Sequence, residues 1–293
     1  MDKLEQVFTH AERLLERLEA LVPPTRRALC WDDAIAFRWR RDTGEGYLEP
    51  VRHPHRIRLQ SLRNIEQQVA EIDRNTRQFL AGLPANNVLL WGSRGTGKSS
   101  LIKALLNEYA EQGLREIQVE GHDLVDLPQI MEPIHDRTER FILFCDDLSF
   151  EAGDPSYKAL KAALDGSLTA TPDNLLIYAT SNRRHLLPEY LSENEAARNI
   201  DGEIHHGEAV EEKISLSERF GLWLSFYPFN QENYLDICFS WLAELGVTIN
   251  KPEAVRQAAL CFALARGSRS GRVAWQFARD WAGRQYLREK EKI

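Results

Sequence analysis

Asn87-Val-Leu-Leu-Trp91-Gly92-Ser-Arg-Gly95-Thr-Gly97-Lys98-Ser99-Ser100-Leu-Ile-Lys-Ala-Leu-Leu106 decides the fold. Its centre, Gly92 to Ser99, satisfies G-x-x-x-x-G-K-[ST] in full. The apolar run before it predicts a buried strand and the periodic run after it a helix, which is the context this pattern needs. Glycines let backbone N–H groups close around phosphate oxygens without side-chain obstruction. The positive end of the following helix faces the same oxygens. Lys98 has the reach for β- and γ-phosphates, and the Ser99 hydroxyl suits Mg²⁺. Gly92, Ser93, Arg94, Gly95, Thr96, Gly97, Lys98, Ser99 and Ser100 are therefore the candidate nucleotide-binding residues.

Downstream, Phe141-Ile-Leu-Phe-Cys145-Asp146-Asp147 reads as a buried strand ending in two carboxylates. After a phosphate-binding loop, the first such acid holds Mg²⁺ and the second orients or activates water. Asp146 is thus a candidate metal ligand beside Ser99, and Asp147 a candidate catalytic group. The second acid is usually Glu, so Asp147 has one methylene less reach. The competing reading is a strand followed by a solvated turn, which Asp pairs also start. A further strand, Leu175-Leu-Ile-Tyr-Ala-Thr180-Ser181-Asn182, exits in polar groups suited to sensing a γ-phosphate. Asn182 is the first choice and Thr180 the reserve.

Around these motifs the texture is that of a parallel α/β sheet. Expected strands are Val88–Trp91, Ile117–Glu120, Phe141–Cys145, Leu175–Thr180 and Leu222–Phe226, with helices over Ser99–Glu111, Leu124–His135 and Tyr157–Leu168. The fold class expected is α/β, a five-stranded parallel sheet sandwiched by helices over residues 56–228. A small all-helical lid domain follows over 229–293, with helices Gln231–Leu245, Pro252–Arg266 and Arg272–Glu289. Residues 1–55 read as an accessory segment. It holds an amphipathic helix from Leu4 to Val22, stopped by Pro23-Pro24, and then a hairpin or irregular arm over Trp31–Pro50. Tyr190–Glu212 is polar and acidic without periodicity, and reads as a surface loop.

The chain has 293 residues, 43% hydrophobic and 28% charged, with a net charge of −7. That is enough apolar material for a sizeable core, and the acidic balance disfavours a dedicated nucleic-acid binder. No apolar run approaches the ~20 residues a membrane helix requires. The opening residues lack the basic-then-apolar pattern of a secretory signal. Cys30, Cys145, Cys238 and Cys261 form no CxxC pair, so neither disulfides nor zinc is expected and the cytoplasm is the expected compartment. His205-His206 has no further ligand at metal spacing. Arg38-Trp39-Arg40-Arg41 is either a single-strand stacking platform or part of the accessory segment's contact with the core.

The order of motifs resembles the AAA+ superfamily, through Gly92–Ser99, Phe141–Asp147, Leu175–Asn182, Ser217-Glu-Arg219-Phe-Gly221 and Gly267-Ser-Arg-Ser-Gly-Arg272. Pro84–Ser100, Tyr178–His185 and Arg269–Phe277 look like a bacterial AAA+ family of unassigned function. The resemblance implies an ATPase that uses ATP and Mg²⁺, assembles as a homo-oligomer and remodels a protein client. It makes Arg219 an arginine finger reaching a neighbour's γ-phosphate, with an intramolecular ion pair to Glu218 or Glu212 as the alternative. It makes Arg272 the lid sensor, with Arg269 competing. Leu59-Gln-Ser-Leu62-Arg-Asn64-Ile65 resembles the segment that packs on adenine, although Asn64 stands where glycine is common. Asn250-Lys-Pro-Glu253 reads as a helix start and not as a guanine-selective motif. A nucleic-acid-associated switch, similar to helicase loaders or transposition helpers, is the alternative function, and a small-molecule kinase a distant third.

Overall fold

Near-continuous apolar runs mark the central strands because both faces of their sheet are covered. The computed structural model describes residues 30–42, 45–151, 154–165, 172–184, 186, 198–200, 203–205 and 216–290. Ala34–Ile293 forms one compact unit and Met1–Asp33 another. Of the latter only a 3-10 turn at Trp31–Asp33 with its flanking Cys30 is described; the helix expected over Leu4–Val22 lies outside the described residues.

In chain order the elements are β1 (Ala36–Asp42), β2 (Glu45–Pro50), α1 (Glu66–Leu80), β3 (Val88–Gly92), α2 (Lys98–Tyr109), β4 (Leu114–Gln118), α3 (Leu127–Met131), β5 (Arg140–Cys145), α4 (Pro155–Asp165), β6 (Leu175–Ser181), β7 (Arg198–Ile200), β8 (Glu203–His205), β9 (Leu222–Phe226), α5 (Gln231–Glu244), α6 (Pro252–Arg266) and α7 (Gly271–Lys290). The main sheet runs β2-β1-β4-β5-β6-β3-β9. Its five strands β4-β5-β6-β3-β9 are mutually parallel, as the sequence predicts. The sheet nevertheless has seven strands, because β1 pairs parallel with β4 and antiparallel with β2. Of the two forms the sequence allows for Trp31–Pro50, the structure has the hairpin. Residues 36–50 thereby share the sheet of the core.

Burial along β1 falls from its start to its end. Phe37 and Trp39 are buried, while Arg40 and Arg41 are exposed. Trp39 donates its indole N–H to Asp126 at 3.0 Å, and Arg41 donates to both oxygens of the same carboxylate. Arg40 pairs with Glu49 at 3.2 Å, and Arg38 reaches Gln118 at 3.5 Å. This basic run is tied to its own sheet and to Asp126 in the turn after β4, and its Trp39 is buried and offers no open stacking platform.

Several elements differ from expectation: α1 over Glu66–Leu80 is absent from the expected helices, and α4 opens two residues early at Pro155. β4 begins three residues early, at Leu114, directly after Gly113, whose φ of 90° ends the preceding turn. Its polar Arg115 and Glu116 conceal the strand. The single helix expected over Leu124–His135 is instead a 3-10 turn, the short α3 and a second 3-10 turn, since Pro133 interrupts the amide ladder and restricts the residue before it. Within the expected loop Tyr190–Glu212, β7 and β8 pair antiparallel; the rest lies outside the described residues.

Buried polar groups are largely satisfied in chains. Asn75 donates to the Tyr178 hydroxyl at 3.1 Å, that hydroxyl lies 2.9 Å from Thr76 Oγ1, and Thr76 donates to the Ile72 carbonyl at 2.8 Å. Glu116 is the carboxylate among the exceptions, which also include atoms of Arg38, Arg115, Asn174 and Ser217. It is 6% exposed on β4, and its Oε2 has no hydrogen-bond partner among the described residues. Burial pushes its carboxyl up to about 7, with Lys103 opposing and Asp146 reinforcing. The folded state then holds this proton more tightly than the unfolded chain, whose glutamates titrate near ~4.3. Stability permitted by the neutral form is fully present below that value and is lost as pH rises through about 7. Glu116→Gln is expected to remove this loss and to gain about 1–3 kcal/mol over the parent at pH 8 relative to pH 5. Urea unfolding at the two pH values checks it; an unchanged pH dependence in the variant refutes the assignment.

Candidate active site

The strand β3 delivers the glycine loop at the edge it shares with β9. Gly92 has φ 125°, and a Cβ there would sit 2.1 Å from the Phe226 carbonyl oxygen, so no side chain fits. Ser93 N–H donates to that same carbonyl at 3.0 Å. The loop closes on itself through Thr96, whose hydroxyl donates to Ser93 O at 2.8 Å. Gly97 caps α2 with left-handed backbone and no side-chain cap. The first amides of α2 are thus left to an anion from outside.

Lys98 is buried, and its ammonium donates to Gly92 O and Ser93 O, each at 2.8 Å, and to Asn182 Oδ1 at 3.3 Å. All three of its donors are thereby matched. Burial lowers its pKa, and the negative charges of Asp147 and Asp146 oppose that shift. The arrangement lays a positive charge along the floor of the loop.

The acidic side meets it at the ends of β5 and β6. Asp146 Oδ1 accepts from Ser99 Oγ and from Thr180 Oγ1, both at 2.6 Å. Asp147 has φ 53°, a conformation Asp tolerates better than most residues. Its amide donates to Thr180 Oγ1 at 2.9 Å, and its carboxylate accepts from Asn182 Nδ2. Arg94 Nη2 lies 3.8 Å from Asp147 Oδ2. One hydrogen-bonded chain therefore joins Lys98, Asn182, Asp147, Thr180, Asp146 and Ser99. Thr180, the reserve for the sensor position, buttresses both acids.

The helical domain touches the same loop. Gly271 N–H, at the start of α7, donates to Gly95 O at 2.8 Å. Ser270 is buried, and its hydroxyl accepts from Val273 N–H at 3.3 Å. Gly95 has φ 73°, and a Cβ on it would lie 2.9 Å from Ser270 Oγ and 3.4 Å from Arg272 Cβ. Arg272 thus stands at the loop in the first turn of α7, whereas Arg269 has no described contact with it. Sequence reasoning passes over Ser270, yet a serine before a periodic apolar run is a helix-cap signal.

On the other side, Asn64 adopts φ 64°, the left-handed backbone for which glycine is usual and Asn the best substitute. Its Nδ2 donates to Asp236 of α5 at 2.9 Å. The adjoining Leu59 and Leu62 pack on the core, and Ile65 Cδ1 lies 3.4 Å from where a Cβ of Gly97 would be. The segment singled out for adenine therefore adjoins the loop. Arg219 pairs with Asp165 at the end of α4, a different acid from the Glu218 of the sequence reading; Glu212 lies outside the described residues. Pro252 opens α6, as read. Among the described residues no cluster of three His, Cys, Asp or Glu side chains could hold a metal, and no helix is long and apolar enough to cross a membrane.

The fold is shared with solved structures. A variant of RuvB from Thermotoga maritima superposes with TM-score 0.51 at 16% identity, over 76% of this chain and 63% of that one. Orc1 from Aeropyrum pernix, in complex with DNA, gives TM-score 0.54 at 16% identity, over 78% and 61%. Both are AAA+ P-loop structures, and this chain spans about three fifths of the length of each. A comparison with curated proteins gave no significant match. Residues 32–285 match the model of the family described as "Protein of unknown function (DUF815)". With the AAA+ P-loop fold and that match over most of its length, the chain belongs to this family.

Proposed function

We propose that the chain binds ATP with Mg²⁺ and hydrolyses it, and that a homo-oligomer of it in the cytoplasm uses the cycle to switch a protein partner. The observation that carries this is the single hydrogen-bonded chain from Lys98 to Ser99 through both acids. The residues fit the ligand. Ser99 Oγ stands against the Asp146 carboxylate, so two hard oxygen ligands of the kind Mg²⁺ takes lie side by side, and glycines line the loop where phosphate oxygens must approach the backbone. When bound, ATP supplies the scissile phosphoanhydride and Mg²⁺ neutralises charge on its oxygens.

In this reading Gly92 to Ser100 cradle the phosphates, with Lys98 as the fixed cation, and Ser99 and Asp146 hold the metal. Asp147 orients water, steadied by Asn182. Arg272, at the lid's contact with Gly95, reports the nucleotide to the helical domain at 229–293. Arg219 serves a neighbouring subunit. The core over 56–228, whose sheet the hairpin of residues 36–50 extends, does the chemistry, and the rest of the N-terminal segment through residue 55 carries accessory contacts.

Asp147→Asn tests the catalytic part. It keeps shape and hydrogen bonds but removes the basic oxygen, so turnover is expected to fall about a hundredfold while binding of a fluorescent ATP analogue stays within about twofold. Turnover near that of the parent would remove Asp147 from its role. The second reading, a nucleic-acid-associated switch, gains nothing from Arg38–Arg41, whose side chains are engaged internally. One structure of the same fold, Orc1, is nevertheless described in complex with DNA.

A further inference from the structure

Between Pro50 and Ile65 the chain carries Arg52, His53, His55, Arg56, Arg58 and Arg63 and no acid, in a protein of net charge −7. All six side chains are exposed. Some exposed arginines elsewhere are paired, Arg40 with Glu49, Arg74 with Glu71, Arg284 with Asp280. Among the described residues others, such as Arg183, Arg269 and Arg288, have no carboxylate partner, and neither has any of the six between Pro50 and Ile65. A cationic strip on an acidic protein is a local field of opposite sign that draws anions to that face.

The strip is held in shape. Asn107, on the helix that follows the phosphate loop, donates to the carbonyls of His55 and Ile57 at 2.6 and 3.0 Å. Carbonyls of residues two apart face one side in an extended chain, and Arg58 has extended backbone at φ −99°, ψ 147°. Ile57 and Leu59 are half-buried while Arg56 and Arg58 are exposed between them. Arg56 and Arg58 are thus about 6.6 Å apart on the outward side, so both guanidiniums face one way, before the chain turns at Leu59–Ser61.

We propose that this strap, Arg52 to Arg63, binds the phosphate backbone of duplex nucleic acid, adding a nucleic-acid contact to the ATP-driven machine. Four guanidiniums and no lysine suit bidentate binding of phosphate oxygens. The strap has no Phe, Tyr or Trp, the broad rings on which single-strand bases stack. Among the described residues the exposed large apolar side chains are Leu83, Tyr227, Leu264, Tyr286 and Leu287, all outside it. A lipid surface or a protein groove would call for such anchors. Contact with phosphates alone makes the binding independent of sequence and steeply dependent on salt.

The test is fluorescence anisotropy of the full chain with a labelled 30-base-pair DNA duplex at several salt concentrations. Arg56→Glu/Arg58→Glu is compared with Arg74→Glu/Arg284→Glu, which has the same net charge. The strap variant is expected to bind at least tenfold more weakly in 50 mM salt, with a log–log salt slope shallower by about 2. The control pair is expected to stay within twofold of the parent, and ATP turnover measured without DNA to be unchanged in the strap variant. Equal weakening in both variants, or undiminished duplex binding by the strap variant, overturns the proposal. So does binding to phosphatidylserine vesicles with none to the duplex.

Discussion

Lys98→Ala will weaken ATP binding at least a hundredfold and reduce turnover about a thousandfold. In the parent the ammonium is held by Gly92 O, Ser93 O and Asn182 Oδ1. Removing it leaves three acceptors lining the loop without their donor and takes away the cation nearest the phosphates. A hundredfold in affinity is about 2.7 kcal/mol, within reach of one lost charge-assisted contact to phosphate plus the desolvated carbonyls left behind. The added loss in turnover follows because Lys98 also fixes Asn182, which in turn holds Asp147. Lys98→Arg keeps the charge but not the compact ammonium geometry, so it should rescue little. Isothermal titration with a non-hydrolysable ATP analogue, alongside phosphate release, reads both quantities. Tight binding with normal turnover in Lys98→Ala would remove the loop from the nucleotide site altogether.

What could be read in the sequence divides along a physical line. The loop Gly92–Ser99 and the strands β5 and β6 are legible because strict local chemistry produces them: glycines where a side chain collides with Phe226, and runs buried on both faces. The lid helix α6 is legible to the residue, since Pro252 opens it and Gly267 closes it in left-handed backbone. Features set by long-range pairing are not. The β1–β2 hairpin joins the sheet only because β4 offers an edge, and nothing local in Arg38–Arg41 announces Asp126 as partner 85 residues away. The same holds for Asn64 with Asp236 and for Ser270 on Gly95, contacts between segments remote in sequence. The arginines of the Pro50–Ile65 strap were visible as letters. What the letters lack is the pinning by Asn107 and, among the described residues, the want of a carboxylate partner, both of which come from the fold.

Arg219→Ala will separate a shared site from a private one. If Arg219 completes a neighbour's site, specific ATPase activity rises with protein concentration, and the variant loses about a thousandfold at the high end while nucleotide affinity is unchanged. That loss corresponds to about 4 kcal/mol of transition-state stabilisation. The ion pair with Asp165 is too weak to account for it, because both side chains are part-exposed, 25% and 43%, and such pairs contribute about 0–1 kcal/mol. Asp165→Asn is therefore the discriminating companion. It breaks the intrachain pair and leaves the guanidinium in place, so it should keep the concentration dependence and at least the parent's activity. A guanidinium that neutralises charge on a transferring phosphoryl group must first let go of any carboxylate it rests on. Loosening this one carboxylate contact then shifts the guanidinium toward the assembled state. If Asp165→Asn instead loses activity in step with Arg219→Ala, and both lower the melting temperature equally, Arg219 is a structural tether and the active unit is a single chain.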